Sequence, residues 1–297
     1  MSVKSRERVH RVDMTARGIS RRRFLKLAGY VGAGSLAAGY PLFIERHLVV
    51  TSRRRLVVPR LPDAFAGLRI AHLSDLHFGA LVPLSAVRDV VRRANALGAD
   101  LILCTGDYVH ERRSAAQIDA VWPELARLSA PLGVYSVLGN HDHWADSARS
   151  QDWLTRTGQD LRHRTAPLER DGQRLWLAGA GDLWEDHRDL DDLLRRVPDS
   201  ECRIVLAHNP DTADTAFSRP VDLMLSGHTH GGQVRLPFLG APVLPVRNKN
   251  YSSGLCTSPR GVRVFISRGI GWACLPVRFN CLPEIALLEL QPAPRPA

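Results

Sequence analysis

Five short motifs concentrate the aspartate, histidine and asparagine side chains that are best suited to bind metal ions. In chain order they are Ser74-Asp75-Leu76-His77, Thr105-Gly106-Asp107, Gly139-Asn140-His141-Asp142, His208 and Gly227-His228-Thr229-His230. Carboxylate, amide and imidazole groups are ligands for manganese, iron or zinc, and no thiolate belongs to the set. The motifs therefore predict a metal site.

The spacing within the motifs supports this prediction more strongly than any one motif does. Asp75 and His77 are two residues apart, as are His228 and His230, and this spacing can place both members of a pair on one side. Asp107, midway in the order, is a natural bridge, because one carboxylate can bind two cations. Alone, a histidine at a strand end is more often a structural hydrogen-bonding group, and Gly-Asn-His can be only a turn.

Each motif follows an apolar run that predicts a β-strand. The five runs span residues 68–73, 101–104, 133–138, 203–207 and 222–225. Sites in open α/β sheets form beyond the carboxyl ends of the strands, so the motifs can converge there. A glycine directly precedes Asp107, Asn140 and His228, where it permits a sharp turn and a close approach of the backbone.

The rest of the pattern predicts the elements that hold these strands in place. Apolar residues at helical spacing indicate helices over residues 84–97, 118–128 and 190–197. Further strands are predicted at residues 175–178, 262–267 and 285–290. Alternating strands and helices followed by strands are typical of a layered α/β domain with mixed sheets.

The net charge of +10 is concentrated at the N-terminus. Residues 1–60 carry 14 Lys/Arg and 3 Asp/Glu, which leaves 26 basic and 27 acidic groups in residues 61–297. A nucleic-acid-binding domain would have a basic body, and this body is close to neutral. The composition therefore argues against nucleic acid as a partner.

The five cysteines show no metal-binding spacing. Cys104 and Cys202 lie in apolar runs, where a small buried side chain is expected. Cys256, Cys274 and Cys281 cluster near the C-terminus, and a disulfide among them is an open alternative in an oxidising compartment.

The N-terminal segment has the pattern of an export signal. Ser20-Arg21-Arg22-Arg23-Phe24-Leu25-Lys26 precedes a moderately apolar stretch at residues 27–43, which is typical of a twin-arginine signal. The alternatives are an uncleaved membrane anchor, or a basic tail followed by a buried helix. We therefore predict a signal or anchor at residues 1–45, a basic linker at 46–60, a catalytic domain at 61–291 and a tail at 292–297.

The five motifs resemble the motif blocks of the calcineurin-like metallophosphoesterase superfamily, over about residues 65–290. Gly231-Gly232-Gln233, together with residues 267–271 and 276–279, is similar to an exported or membrane-bound bacterial branch. That branch includes phosphodiesterases and hydrolases of the pyrophosphate bond in UDP-diacylglucosamine. The resemblance implies a four-layer α-β-β-α sandwich with two mixed β-sheets.

The resemblance also implies the ligands of two divalent metal ions, whether Mn, Fe or Zn. One ion is held by Asp75, His77 and His230, the other by Asn140, His208 and His228, and Asp107 bridges both. Asp142 stands where the protein-phosphatase branch has glutamate, and the phosphate-binding arginine blocks of that branch are not evident, which argues against a phosphoprotein substrate.

Two cations that share a water lower its pKa and supply a nucleophile at neutral pH. We hypothesise in-line attack of this metal-bound hydroxide on phosphorus, with His141 protonating the leaving group and Asp142 orienting the His141 ring. His72 is expected to pack within the sheet. Asp182, Trp184, Arg268 and Arg278 are weaker candidates for substrate contact.

Together these inferences predict an exported metallophosphoesterase that hydrolyses phosphodiester or pyrophosphate bonds. The basic N-terminal segment and the lipid-acting relatives favour a phosphorylated lipid or cell-envelope precursor as substrate, with the membrane surface and the twin-arginine translocase as partners. Two alternatives stay open: a periplasmic or extracellular scavenger of nucleotides and phosphodiesters, and a non-catalytic, metal-stabilised binding protein of the envelope.

Overall fold

A computed structural model of the protein describes residues 20–294, which divide into two units at Gly39 and Tyr40. The first unit contains helix α1 (Arg21–Gly39), which begins inside the predicted twin-arginine motif. No helix within residues 20–294 is both long and apolar enough to cross a membrane. The first 19 residues of the predicted signal lie outside the described residues.

The second unit contains four further α-helices and eleven strands within the described residues, besides short π and 3-10 turns. The helices are α2 (Leu84–Ala96), α3 (Ala115–Leu125), α4 (Asn140–Thr157) and α5 (Leu190–Leu194). The strands are β1 (Val50–Val58), β2 (Arg69–Leu73), β3 (Leu101–Cys104), β4 (Val134–Ser136), β5 (Thr165–Arg170), β6 (Gln173–Gly179), β7 (Cys202–Leu206), β8 (Leu223–Ser226), β9 (Gly254–Thr257), β10 (Arg263–Ile266) and β11 (Glu284–Pro292).

The strands form two mixed sheets, as predicted. The first sheet has the order β1-β11-β2-β3-β4, and only the β11–β2 pair is antiparallel. The second has the order β5-β6-β7-β8-β10-β9, with antiparallel pairs only at its two edges. The strands that precede the five motifs are β2, β3, β4, β7 and β8. They run parallel within each sheet, so the motifs leave each sheet at one edge.

Side-chain alternation along the strands builds the layers of the sandwich. Leu101 and Leu103 of β3 face the second sheet and pack in a core with Ile204 and Leu225, whereas Ile102 points to the helices. Helices α2, α3 and α4 cover the outer face of the first sheet, and α5 packs on the outer face of the second. The predicted four-layer α-β-β-α sandwich is confirmed.

The predicted linker at residues 46–60 is wrong. It contains β1, which pairs with β11 along its whole length and buries Leu56 and Val58. Three consecutive exposed arginines, Arg53–Arg55, interrupt the apolar alternation and hide the strand in the sequence. The body therefore begins at Tyr40, not at residue 61. At the other end β11 extends through Pro292, into the predicted tail.

Helix α4 was not predicted, although the third motif forms its first turn. Its few buried positions, including Ala145 and Leu154, give a weak apolar stripe, and the backbone kinks at Asp146. The five cysteines are all free thiols in the described residues, so the structure shows no disulfide among Cys256, Cys274 and Cys281.

Candidate metal centre

The motif side chains converge in two buried groups. The first group is Asp75, His77 and His230, and the second is Asp107, His208 and His228; the ligand atoms within each lie within 4.8 Å of one another. Asp107 Oδ2 is 3.2 Å from His208 Nε2 and 3.5 Å from His77 Nε2. Asp107 thus lies between the two groups, at the position predicted for a bridging ligand.

Asn140 supplies an oxygen that the protein leaves without a partner. The residue is 2% exposed, and its Oδ1 accepts no hydrogen bond in the structure. A buried amide oxygen without a partner is costly, and a cation would satisfy it. All seven predicted ligands are therefore buried, and their donor set suits two divalent ions.

Backbone carbonyls fix the ring orientation of two histidines in the second group. His208 Nδ1 lies 2.7 Å from the Thr105 carbonyl oxygen, and His228 Nε2 lies 3.0 Å from that of Pro245. Each ring must donate its N–H there, so His208 Nε2 and His228 Nδ1, which lie 3.1 Å apart, are the nitrogens that face the centre. This outer support is typical of metal-binding histidines.

Burial and charge set the protonation of the ligands. Burial lowers the pKa of His228 to about 3 and holds the pKa values of His77 and His230 well below 6.5, so these rings are neutral. Burial alone would raise the pKa of Asp107, but His208 and His141 hold it well below its usual range. The Asp107 carboxylate is therefore charged, as a bridging ligand must be.

His208 carries the proton that faces this carboxylate. Burial alone would lower its pKa, whereas the Asp107 carboxylate raises it to about 10. Metal binding must displace that proton, because a ligating imidazole is neutral.

The ligand residues have strained backbones. Asp75, His77, Asp107, His228 and His230 all have φ between 49° and 68°, in the left-handed region that side chains with a Cβ rarely adopt. Each such residue costs on the order of 1–3 kcal/mol, and such residues cluster at functional sites. The five residues include both members of the Asp-x-His pair and both members of the His-x-His pair.

Two of the predicted glycines allow this crowding. A Cβ on Gly227 would lie 1.9 Å from Ser74 Oγ and 2.3 Å from Asp75 Oδ2. A Cβ on Gly106, which has φ of 94°, would lie 2.2 Å from the Gly139 nitrogen. No side chain fits at either position, so the motif loops can approach each other only through glycine.

The prediction that Asp142 orients the His141 ring is wrong. Asp142 Oδ2 accepts the backbone N–H groups of Gly139 and Asp107 at 2.9 and 2.8 Å, and Oδ1 accepts that of Tyr108 at 2.9 Å. The His141 ring is held instead by its Nδ1, which lies 2.8 Å from the His110 carbonyl oxygen. Both carboxylate oxygens of Asp142 already accept backbone N–H groups. These hydrogen bonds join the Asp107 motif to the start of α4.

His110 is a site residue that the sequence reasoning missed. Its Nδ1 lies 3.4 Å from His77 Nδ1, and its ring centroid lies 5.5 Å from that of His141. His77, His110 and His141 form a third group of closely spaced imidazole nitrogens. In the sequence, His110 is marked only by its position three residues after Asp107.

The structure separates the weaker candidates. His72 is buried in the sheet with its Nε2 2.9 Å from Thr105 Oγ1, as predicted. Asp182 caps a loop by accepting the Trp184 N–H at 3.0 Å, and the half-exposed Trp184 ring lies edge-on to His228 at 4.5 Å. The loop thus brings Trp184 to the opening of the centre.

The two arginines proposed as phosphate contacts are engaged elsewhere. Arg268 forms an ion pair of 2.7 Å with Glu284. Arg278 is fully buried and donates to the backbone carbonyls of Gly271, Cys281 and Arg268. Both arginines stabilise the loop after β10 and do not offer a free guanidinium to a substrate.

Comparison with known proteins agrees with this geometry. The family model described as calcineurin-like phosphoesterase matches residues 68–232, and the chain belongs to this family. The chain is 34% identical over 282 residues to the uncharacterized metallophosphoesterase YkuE of Bacillus subtilis, with 92% of this chain and 98% of that protein covered. It is 35% identical over 280 residues to the phosphodiesterase YaeI of Escherichia coli, with 92% and 99% covered.

A more distant relative is the UDP-2,3-diacylglucosamine pyrophosphatase LpxG of Chlamydia muridarum. It is 27% identical over 287 residues, with 77% of this chain and 86% of that protein covered. The family uses a dinuclear metal site, and the two buried groups that meet at Asp107 are able to bind its ions. The chain is thus a metal-dependent phosphoester hydrolase.

Proposed function

We propose that this calcineurin-like phosphoesterase cleaves phosphodiester or pyrophosphate bonds in a phosphorylated lipid or a lipid-linked envelope precursor. The observation that carries the proposal is the pairing of two complete ligand groups at Asp107 with a histidine, His141, whose ring is held by one nitrogen only. A hydrolase needs both the metal ligands and a proton donor such as His141, whereas a non-catalytic metal protein would not need His141.

In this proposal Asp75, His77 and His230 would hold one ion and Asn140, His208 and His228 the other, with Asp107 as the ligand available to both. When bound, the two ions neutralise charge on the phosphoryl oxygens and lower the pKa of a water. The chain itself keeps the His77, His228 and His230 rings neutral by burial, and backbone carbonyls fix the His208 and His228 rings. His110 and Asp142 support the ligands, His110 beside the His77 ring and Asp142 beneath the Asp107 turn.

His141 is proposed to protonate the leaving group. Its Nδ1–H is committed to the His110 carbonyl, so only Nε2 can carry a proton to a departing oxygen. The ring is half-buried and lies 4.6 Å from the His77 ring, which places it beside the first ligand group. A protonated Nε2 beside an alkoxide leaving group lowers the barrier for poor leaving groups most.

The class of bond rests on the charge around the centre and on the relatives. Arg268 is paired with Glu284 and Arg278 is fully buried, so neither guanidinium is free to bind a phosphomonoester dianion directly. Relatives of this chain carry the names of a phosphodiesterase and of a pyrophosphatase that acts on a diacylated sugar nucleotide. Both names describe a phosphorus atom with two ester or anhydride substituents.

A second candidate is an exported scavenger of nucleotides and simple phosphodiesters. The twin-arginine pattern at Arg21 and Arg22 favours action outside the cytoplasm in either case. We expect replacement of both arginines by lysine to retain the protein in the cytoplasm of a producing bacterium. Unchanged export of that variant would remove the twin-arginine translocase from the proposal.

The substrate is tested by assaying the full chain, reconstituted with Mn²⁺, against a panel. The panel contains bis(4-nitrophenyl) phosphate, a phosphomonoester, nucleotides, phospholipids and a UDP-linked lipid, with Asp107→Ala as the inactive control. The proposal expects turnover of the diester and the highest efficiency on a lipid substrate. Higher efficiency on water-soluble nucleotides would favour the scavenger, and metal binding without any turnover would favour the non-catalytic alternative.

A further inference from the structure

Large apolar side chains of the body lie exposed to solvent along one rim. We call this surface the apolar rim and define it by six side chains, each at least half-exposed: Phe43, Ile44, Phe238, Leu239, Val243 and Leu275. Single exposed apolar residues are ordinary, but clusters of them mark interaction surfaces. The rim is therefore a candidate interaction surface.

Three segments of the body bring the rim together. A shallow pocket is lined by both Tyr40 and Pro237, so the first residues of the body lie beside the turn that carries Phe238. Gln233, just before that turn, donates from Nε2 to the Leu275 carbonyl at 3.1 Å. The Arg278 N–H in turn donates to the Pro41 carbonyl at 3.2 Å.

Phe238 occupies the tip of the rim at an energetic cost. It lies in a tight turn closed by the Gly240 N–H on the Leu236 carbonyl, with φ of 66° in the left-handed region. Its side chain is 108% exposed, so the ring gains no packing in the protein to offset that strain. Contact with a partner outside the chain would bury this ring and offset the strain.

The segment of sequence that carries most of the rim has charges of one sign only. Between Leu223 and Pro283 the chain has seven Lys/Arg and no Asp/Glu, which leaves 19 basic and 27 acidic groups in the rest of residues 61–297. Arg247 and Lys249, which follow the apolar loop, are exposed. Of the seven, Arg278 is buried and Arg268 is paired with Glu284, so the exposed basic side chains that the apolar loop brings next to the rim are Arg247 and Lys249.

The same segment is tied directly to the metal centre. Residues 236–245 pack over the turn after His230, where a Cβ on Gly232 would lie 2.3 Å from the Ala241 Cβ. Pro245 at the end of this loop supplies the carbonyl that orients His228. A partner held by the rim would therefore lie next to the opening of the centre.

We propose that the apolar rim inserts into the interface of a bilayer that contains anionic lipids, with Phe238 and Leu239 as the deepest side chains. This deepens the proposed function and rests on it in one respect, namely that the substrate is a lipid presented at that surface. An amphipathic element with apolar side chains next to basic residues binds such an interface by area and by charge together.

A second copy of the chain is a weaker occupant. Two identical rims would bring two basic segments together, and the acid-free stretch offers no carboxylate to pair with them. A fluid interface also accommodates a protruding ring without a complementary pocket. Charge and shape thus both favour the bilayer.

The test places a local probe on the full chain. Phe238→Trp and the control Val57→Trp are mixed with vesicles of phosphatidylglycerol and brominated phosphatidylcholine, and the signal of the six native tryptophans is subtracted. Val57 is also exposed, but it lies seven residues along β1 from Val50, about 23 Å from the end of the strand that adjoins the rim. Because each probe reports its own surroundings, vesicle binding by α1 alone would quench neither.

We expect strong quenching at position 238 and none at position 57. Three results would overturn the proposal: no quenching at either position, equal quenching at both positions, or a dimer that Phe238→Ser converts to a monomer. In a second measurement the double variant Phe238→Ser, Leu239→Ser should hydrolyse a vesicle-embedded diester about tenfold more slowly, with turnover of soluble bis(4-nitrophenyl) phosphate unchanged. If the parent chain hydrolyses neither, the proposed function fails, while the quenching result still decides the docking.

Discussion

The metal centre and the apolar rim are neighbours with opposite physical properties. In the centre polar and charged side chains are buried, and five ligand residues accept left-handed backbones to converge. In the rim apolar side chains are exposed, and the basic charge near them is spread over sixty residues of sequence. Loop 236–245 belongs to both regions, because it carries Phe238 at one end and the carbonyl that orients His228 at the other.

In our proposal, this difference separates the roles of the two regions. The centre places its chemistry in a few side chains fixed by the protein, so single substitutions there should be severe and independent of the physical state of the substrate. The rim acts through summed area and charge, so single substitutions should be mild and visible only at a lipid surface. The predictions below test this division from the largest expected effect to the smallest.

Asp107→Ala should have the largest effect. It removes the carboxylate shared by both ligand groups, so we expect the loss of at least one bound ion and a fall in turnover of about 10⁴-fold, or roughly 5.5 kcal/mol. Metal analysis and turnover of bis(4-nitrophenyl) phosphate measure the two losses. Vesicle binding should persist. If it disappears with the metal, binding by the rim depends on the metal centre, and the two regions do not act independently.

His141→Asn should slow the reaction without removing metal. Loss of the general acid should cost about 10³-fold, or roughly 4 kcal/mol, on a diester with an alkoxide leaving group. The loss should be much smaller with 4-nitrophenolate, which needs little protonation as it departs. Equal losses on both substrates at full metal content would show that His141 has another role.

Asp142→Ala should lower the stability of the fold. It leaves the buried N–H groups of Gly139, Asp107 and Tyr108 without an acceptor, which should cost about 3 kcal/mol of unfolding free energy. Urea or thermal unfolding of the metal-free chain measures the change. Asp152→Ala, on the exposed face of the same helix, is the control and should stay within about 0.5 kcal/mol; an equal change in both variants would contradict the role of Asp142.

Arg247→Gln should have the smallest effect, and only at a membrane. Removing one exposed basic group near the rim should lower partitioning onto phosphatidylglycerol vesicles about fivefold, less at high salt, with soluble turnover unchanged. The control Arg260→Gln removes another exposed basic group, in the turn before β10, and should have no effect. A loss of soluble turnover in Arg247→Gln would mean that the rim and the centre overlap.

The centre was largely predictable from the sequence, because each ligand lies within a contiguous motif at a strand end. The fold followed from the same strands and from the family resemblance. What the sequence did not show depended on contacts between distant segments. The His110 and Pro245 carbonyls, for example, hold His141 and His228 by backbone groups that any residue type would supply.

The remaining misses have similar physical causes. Strand β1 was hidden because three exposed arginines on an edge strand look like a linker. The role given to Asp142 was wrong because adjacency in sequence does not place its carboxylate beside the ring of residue 141. The rim was invisible because exposure is a property of the folded chain: Phe43, Phe238 and Leu275 are ordinary apolar residues until the structure places them together.

The central claim is that one dinuclear centre, joined at Asp107, performs the hydrolysis. The most direct test adds Mn²⁺ stepwise to the chelator-treated full chain and follows bound metal and turnover of bis(4-nitrophenyl) phosphate in the same samples. We predict two ions per chain, with turnover rising as the second ion binds, and no such second ion in Asp107→Ala. Full turnover with a single ion, or two ions retained by Asp107→Ala, would contradict the account.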